Sequence, residues 1–142
     1  RLIAYTVVAV AITIPAVLLA RTLIDTQEDQ LDRIIDGIEE ERVDAFLQSG
    51  AFASSGLVVS SGADAQRFGA GEQEHARAAL EQATGIDGAS SVRIRQRRVT
   101  LRETGATAIL NIEVDDGDYV ALRLDLGRHE EGWRVERVRI MG

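Results

Sequence analysis

Hydrophobic and polar positions divide this chain into stretches of different periodicity. From Leu2 to Ala20 there is no alternation, because no charged side chain occurs between Arg1 and Arg21. This run, LIAYTVVAVAITIPAVLLA, would span roughly 28 Å as a helix, close to the hydrocarbon thickness of a bilayer. It predicts a transmembrane anchor over residues 1–23. It exceeds the apolar core of a cleaved signal, and a cut after Ala20 would leave the bulky Leu18 where a small residue is wanted. Pro15 predicts a kink, while Thr6 and Thr13 are candidate membrane-packing residues that can bond backbone or a neighbouring helix. The span holds no ionisable group, so no proton or ion path through it is expected.

Helical periodicity takes over next. Ile24, Leu31, Ile34, Ile35, Ile38, Ala45 and Phe46 recur at three- and four-residue spacing, opposite Glu28, Asp29, Asp32, Asp36, Glu39, Glu40 and Asp44. An acidic juxtamembrane helix over 24–48 follows from that stripe. Residues 49–71 are rich in Gly, Ser and Ala, with a short apolar island at Leu57–Val59, and are expected to be a linker. A second helix is predicted from Glu72 to Thr84, closed by Gly85.

The remaining pattern has period two. Strands are predicted at Ser91–Glu103, Thr107–Val114, Tyr119–Leu126 and Trp133–Ile140, separated by glycine-containing turns. Ala108, Leu110, Ile112 and Val114 share one face, as do Val120, Leu122, Leu124 and Leu126. The outer two strands slip phase, which predicts β-bulges near Arg97-Arg98 and Glu136-Arg137 and hence a strongly curved sheet. The expected fold is α+β: a transmembrane helix continuing into an amphipathic helix, then a helix and a curved four-stranded antiparallel meander over 72–142, with the helices in its concave face.

Charge sharpens this division. The chain has a formal net charge of −7, and Asp25–Asp44 alone accounts for that figure. Such a segment repels nucleic acid and anionic headgroups, so nucleic acid is not an expected partner. All the basic residues are arginine, and there is no cysteine to support a disulfide, a thiol nucleophile or a thiolate metal site. No carboxylate spacing matches a calcium loop, and no metal or other cofactor is expected. The chain opens at Arg1 rather than methionine, so further residues are expected before it.

The pattern SVRIRQRRVTLRETGATAILNIEVDDGDYVALRLDLGRHEEGWRVERVRI resembles the C-terminal sheet of the nuclear transport factor two-like superfamily, a cone-shaped α+β fold. The resemblance covers Ser91–Ile140, with Glu39–Leu47 standing for the family's first helix. It implies one of two kinds of protein. Pocket enzymes of the family place an acid or base inside the cone, whereas here the inward parity falls on Val, Leu, Ile, Ala and Trp133. Tyr119, Glu113 and Asp125 take the outward parity, while His75 and His129 fall in a first helical turn and a loop. The other kind are binding or assembly modules, and a non-enzyme of that kind is expected.

The preferred reading is a single-pass accessory subunit of the bacterial inner membrane, with an N-terminus in the cytoplasm and a periplasmic domain that scaffolds a larger complex. Its expected partners are membrane lipid and other membrane subunits, including a second copy of itself. Candidate docking residues are Arg93, Arg95, Arg97 and Arg98 on the first meander strand, and Glu28, Asp32 and Asp36 on the acidic helix. Two alternatives remain open: a pilin-like filament subunit and an anchored cone binding a lipid or small ligand.

Overall fold

The structure, a computed structural model, describes residues 27–141. The chain divides after Arg33 into two compact units. The transmembrane anchor expected over 1–23, and with it Thr6, Thr13 and Pro15, lies outside the described residues. No helix among the described residues is long and apolar enough to cross a membrane.

Residues 27–41 are helical (α1), followed by α2 (Val43–Ser49) and α3 (Gln73–Thr84). The expected single helix over 24–48 is therefore broken at Arg42, whose backbone adopts φ 60° and ψ −124°. That conformation is costly for a residue with a Cβ. Side chains and backbone from 87–90 hold it in place. The Arg42 guanidinium donates to the carbonyls of Asp87, Ala89 and Ser90, and Asp87 Oδ1 accepts the Val43 N–H at 3.0 Å.

The sheet has six strands: β1 (Leu57–Ser61), β2 (Asp64–Phe68), β3 (Val92–Leu101), β4 (Gly105–Val114), β5 (Asp118–His129) and β6 (Gly132–Ile140). Their spatial order is β2-β1-β6-β5-β4-β3. The four-stranded antiparallel meander is present as β3–β6, but two strands extend it and the β1–β6 pair is parallel. Residues 49–71, expected as a linker, hold the β1–β2 hairpin, with Ser61 opposite Asp64 across the two-residue loop Gly62-Ala63. Gly62 supplies the positive φ that such a tight loop demands. β1 escapes an alternation test because it lies between two other strands, and Leu57, Val58, Val59 and Ser60 are all buried.

Two bulges bend the meander. One places the extra residue at Arg95, two positions before the expected site; the other places it at Glu136, as the phase slip predicted. The inner face carries Leu110, Ile112, Leu122, Leu124, Val135 and Val138, all fully buried. Helices α1 to α3 add Ile35, Ile38, Val43, Phe46 and Leu80 to this core, each also fully buried. Each such side chain contributes about 1.5–3 kcal/mol relative to exposure. β3 is an open edge, whereas β6 is covered by β1, so only one of the two arginine-rich strands lies at the rim. The rim is blunted by the Arg95 bulge and by Glu39 of α1, whose carboxylate accepts the Ile94 N–H at 2.7 Å.

Candidate docking face

The face of the sheet opposite the core carries the arginines. Register sets their places. Arg93 lies opposite Glu113 and Arg98 opposite Ile109, both outward, whereas Arg97 lies opposite the buried Leu110 and so points to the other face. There Arg97 donates to Asp36 of α1. Two residues nominated for docking, Arg97 and Asp36, are thus bonded to each other within one chain. Asp44 of α2 likewise binds Arg77 of α3. Part of the acidic helical face therefore holds its own domain together. Glu28 and Asp32 are exposed on residues 27–33, which belong to the other unit.

Arg95, on the bulge, donates to Glu113 Oε1 at 2.8 Å, and the Tyr119 hydroxyl donates to Glu113 Oε2 at 2.9 Å. These two bonds hold the Glu113 carboxyl below the usual carboxylate range, with the Arg95 bond the larger cause. The same carboxylate raises the Tyr119 phenol above its ordinary value. Arg93 and Arg98, by contrast, make no hydrogen bond or ion pair among the described residues. Beside Arg98 lies an open depression at the β3 rim whose lining includes Arg95, Arg97, Ile109, Leu110 and Asn111. Ile109 is 40% exposed, an unusual position for a large aliphatic side chain flanked by cations. Further along the same face Arg139 stands directly opposite Arg123, a like-charge pairing that disfavours the bare surface.

One arrangement was invisible in the sequence. His129, at the end of β5, is within 3.1 Å of both Ser54 Oγ and Glu136 Oε1. The bulge swings Glu136 across Gly127, where any Cβ would overlap its carboxylate. The three side chains clasp the turn after α2 to the β5–β6 hairpin. His75 stands apart, exposed on α3.

The described core is lined by aliphatic and aromatic side chains, with the polar Ser49 and Thr84 buried in the helices beside it. The hydroxyls of Ser49 and Thr84 each bond the carbonyl four residues before them, as side chains inside a helix do. The chemistry this surface offers is recognition of negative charge.

The same architecture recurs in solved structures. An NTF2-like protein with a cystatin-like fold from Novosphingobium aromaticivorans aligns over 87% of this chain and 86% of its own, with a TM-score of 0.58 and 15% identity. An NTF2-like protein from Shewanella oneidensis MR-1 aligns over 80% of this chain and 97% of its own, with a TM-score of 0.57 and 14% identity. The fold is NTF2-like. A de novo designed protein with a curved β-sheet shares it at TM-score 0.57 and 12% identity, covering 82% of this chain and 100% of its own. At such identities the likeness is one of NTF2-like architecture alone. No protein-family model matches the sequence, and no curated protein matches it.

Proposed function

We propose that this chain is a non-enzymatic, single-pass accessory subunit of the bacterial inner membrane, whose NTF2-like domain stabilises a larger membrane complex from the periplasmic side. The outer face of β3 and β4 receives an acidic segment of a partner subunit. The observation that carries this reading is Arg98, exposed and unpaired among the described residues, directly opposite a half-exposed Ile109, with Arg93 exposed further along the same strand face. An apolar centre with a cationic rim is the composition of a recognition patch: the aliphatic group supplies burial, and the charges set partner and orientation. The apolar run Leu2–Ala20 supports the membrane address by its length.

Two of the four arginines are the better placed for this role. Arg95 and Arg97 already bind Glu113 and Asp36, so docking through them would have to break existing bonds. Arg93 and Arg98 can take a new carboxylate without that loss. Charge reversal at both, in the full chain purified in mild detergent, tests the proposal. The expected result is loss of a partner that otherwise co-elutes in fixed ratio. Unchanged co-elution would overturn it.

A further inference from the structure

The opposite end of the outer face holds a second cluster, built on β1 and β6. Parallel register sets Ser60 beside Arg139 and Val58 beside Arg137. Antiparallel register then sets Arg67 opposite Val58 and Arg123 opposite Arg139. Ser60 is 8% exposed, and its Oγ has no hydrogen-bond partner. Buried hydroxyls are nearly always satisfied, so an orphan one on a charged face needs an explanation. Arg137 and Arg139 are exposed and make no hydrogen bond or ion pair among the described residues. Their neighbours are engaged: Arg123 holds Asp125 at 3.3 Å and Arg67 holds the Ser55 carbonyl.

We propose that Ser60, Arg137 and Arg139 form a binding site for a phosphate group. Among the described residues, three features of this end of the face have the same remedy: a buried hydroxyl with no partner, two exposed guanidinium groups without an ion pair, and a like-charge pair directly across the sheet. A carboxylate has two oxygens confined to one plane, so it cannot reach a hydroxyl below it and two guanidinium groups above it equally well. A tetrahedral phosphate has oxygens in several directions and can take the hydroxyl once the long side chains around it swing aside, while two guanidinium groups close over it. The two arginines are long and exposed, so they can move onto the anion. This site goes beyond the docking proposed for β3: neither Arg93 nor Arg98 belongs to it, and either can fail without the other. Phosphate could arrive as a lipid headgroup or as a free anion, and the chemistry of the site is common to both.

The test is calorimetric titration of the full chain in a neutral mild detergent, at constant ionic strength set with chloride. One arm uses inorganic phosphate and the other a short-chain phosphatidylglycerol, whose headgroup is a phosphodiester. Saturable binding is expected in at least one arm. Arg137→Gln with Arg139→Gln should weaken it at least tenfold, and Ser60→Ala about threefold, from the worth of charge-assisted and neutral hydrogen bonds. Arg102→Gln, exposed at the β3–β4 turn, should leave it unchanged. Ser60→Ala removes an orphan hydroxyl, so without ligand it should unfold at an equal or higher urea concentration than the parent; weaker binding then reflects the site and not the fold. Tighter binding of the lipid assigns the site to a headgroup, and tighter binding of inorganic phosphate assigns it to a free anion. No saturable binding in either arm, or binding indifferent to the arginine pair, would overturn the proposal.

Discussion

Replacing Arg42 separates two opposing contributions that meet at one residue. Its guanidinium donates to the carbonyls of Asp87 at 3.1 Å, Ala89, and Ser90 at 3.4 Å. The bonds to Asp87 and Ala89 are part-buried, and the one to Ser90 is exposed and long. At about 1–1.5 kcal/mol for each part-buried bond, Arg42→Ala should cost about 2–3 kcal/mol. The backbone at φ 60° and ψ −124° favours glycine, and holding any other residue there costs about 1–3 kcal/mol. Arg42→Gly loses the same bonds but relieves that strain, against about 0.5–1 kcal/mol of extra chain entropy in the unfolded state. Glycine should therefore come out roughly 1 kcal/mol more stable than alanine at this site, the reverse of the usual order inside a helix. Urea unfolding followed by the fluorescence of Trp133, the chain's one tryptophan and 4% exposed, reads both variants. Glycine equal to or less stable than alanine would refute the strain argument. An alanine variant within about 0.5 kcal/mol of the parent would refute the hydrogen-bond argument.

Two more outcomes follow from bonds on the outer face and the hairpin. The lowered Glu113 carboxyl contributes stability that is complete above the ordinary glutamate range and is lost as pH falls through its folded-state value. Tyr119→Phe should raise the Glu113 titration midpoint, read from its side-chain carboxyl carbon by NMR, and Arg95→Gln should raise it further; no movement in either would remove the assigned cause. Gly127→Ala should drive the flexible, part-exposed Glu136 carboxylate off His129 and destabilise by about 0.5–1 kcal/mol, the worth of that bond. In a Glu136→Ala background the same change should cost measurably less, because the overlapping group is gone, and equal cost in both backgrounds would refute the clasp.

What the sequence made legible follows from periodicity. β4 and β5 each have one buried face, so their alternation was plain, and the phase slip near Glu136-Arg137 bracketed the bulge that falls at Glu136. The Arg95 bulge was placed two residues late because the slip only brackets an interval: Arg95 and Gln96 are both exposed, and neither marks it. β1 was missed because a strand buried on both faces does not alternate, and β2 because four of its five residues are exposed. The break at Arg42 carried no local signal at all. It depends on carbonyls more than forty residues away, and arginine is an ordinary helix former. The docking arginines were nominated together from their strand; the register of the sheet separates Arg93 and Arg98 from Arg97, and only tertiary structure shows that Arg97 and Asp36 bind each other. Ser60 drew no notice in a Gly/Ser-rich stretch, since a serine becomes informative only once its hydroxyl is seen buried and unmet.

The central claim is that the arginine-bearing outer face holds a partner subunit. Native mass spectrometry of the full chain from mild detergent tests it most directly, comparing the parent with the Arg93→Glu/Arg98→Glu double variant at low and high salt. The parent should carry an acidic membrane subunit in fixed ratio at low salt, release it at high salt, and lose it at both in the double variant. The same complex retained by the double variant, or a parent that emerges alone at every salt concentration, would contradict the account.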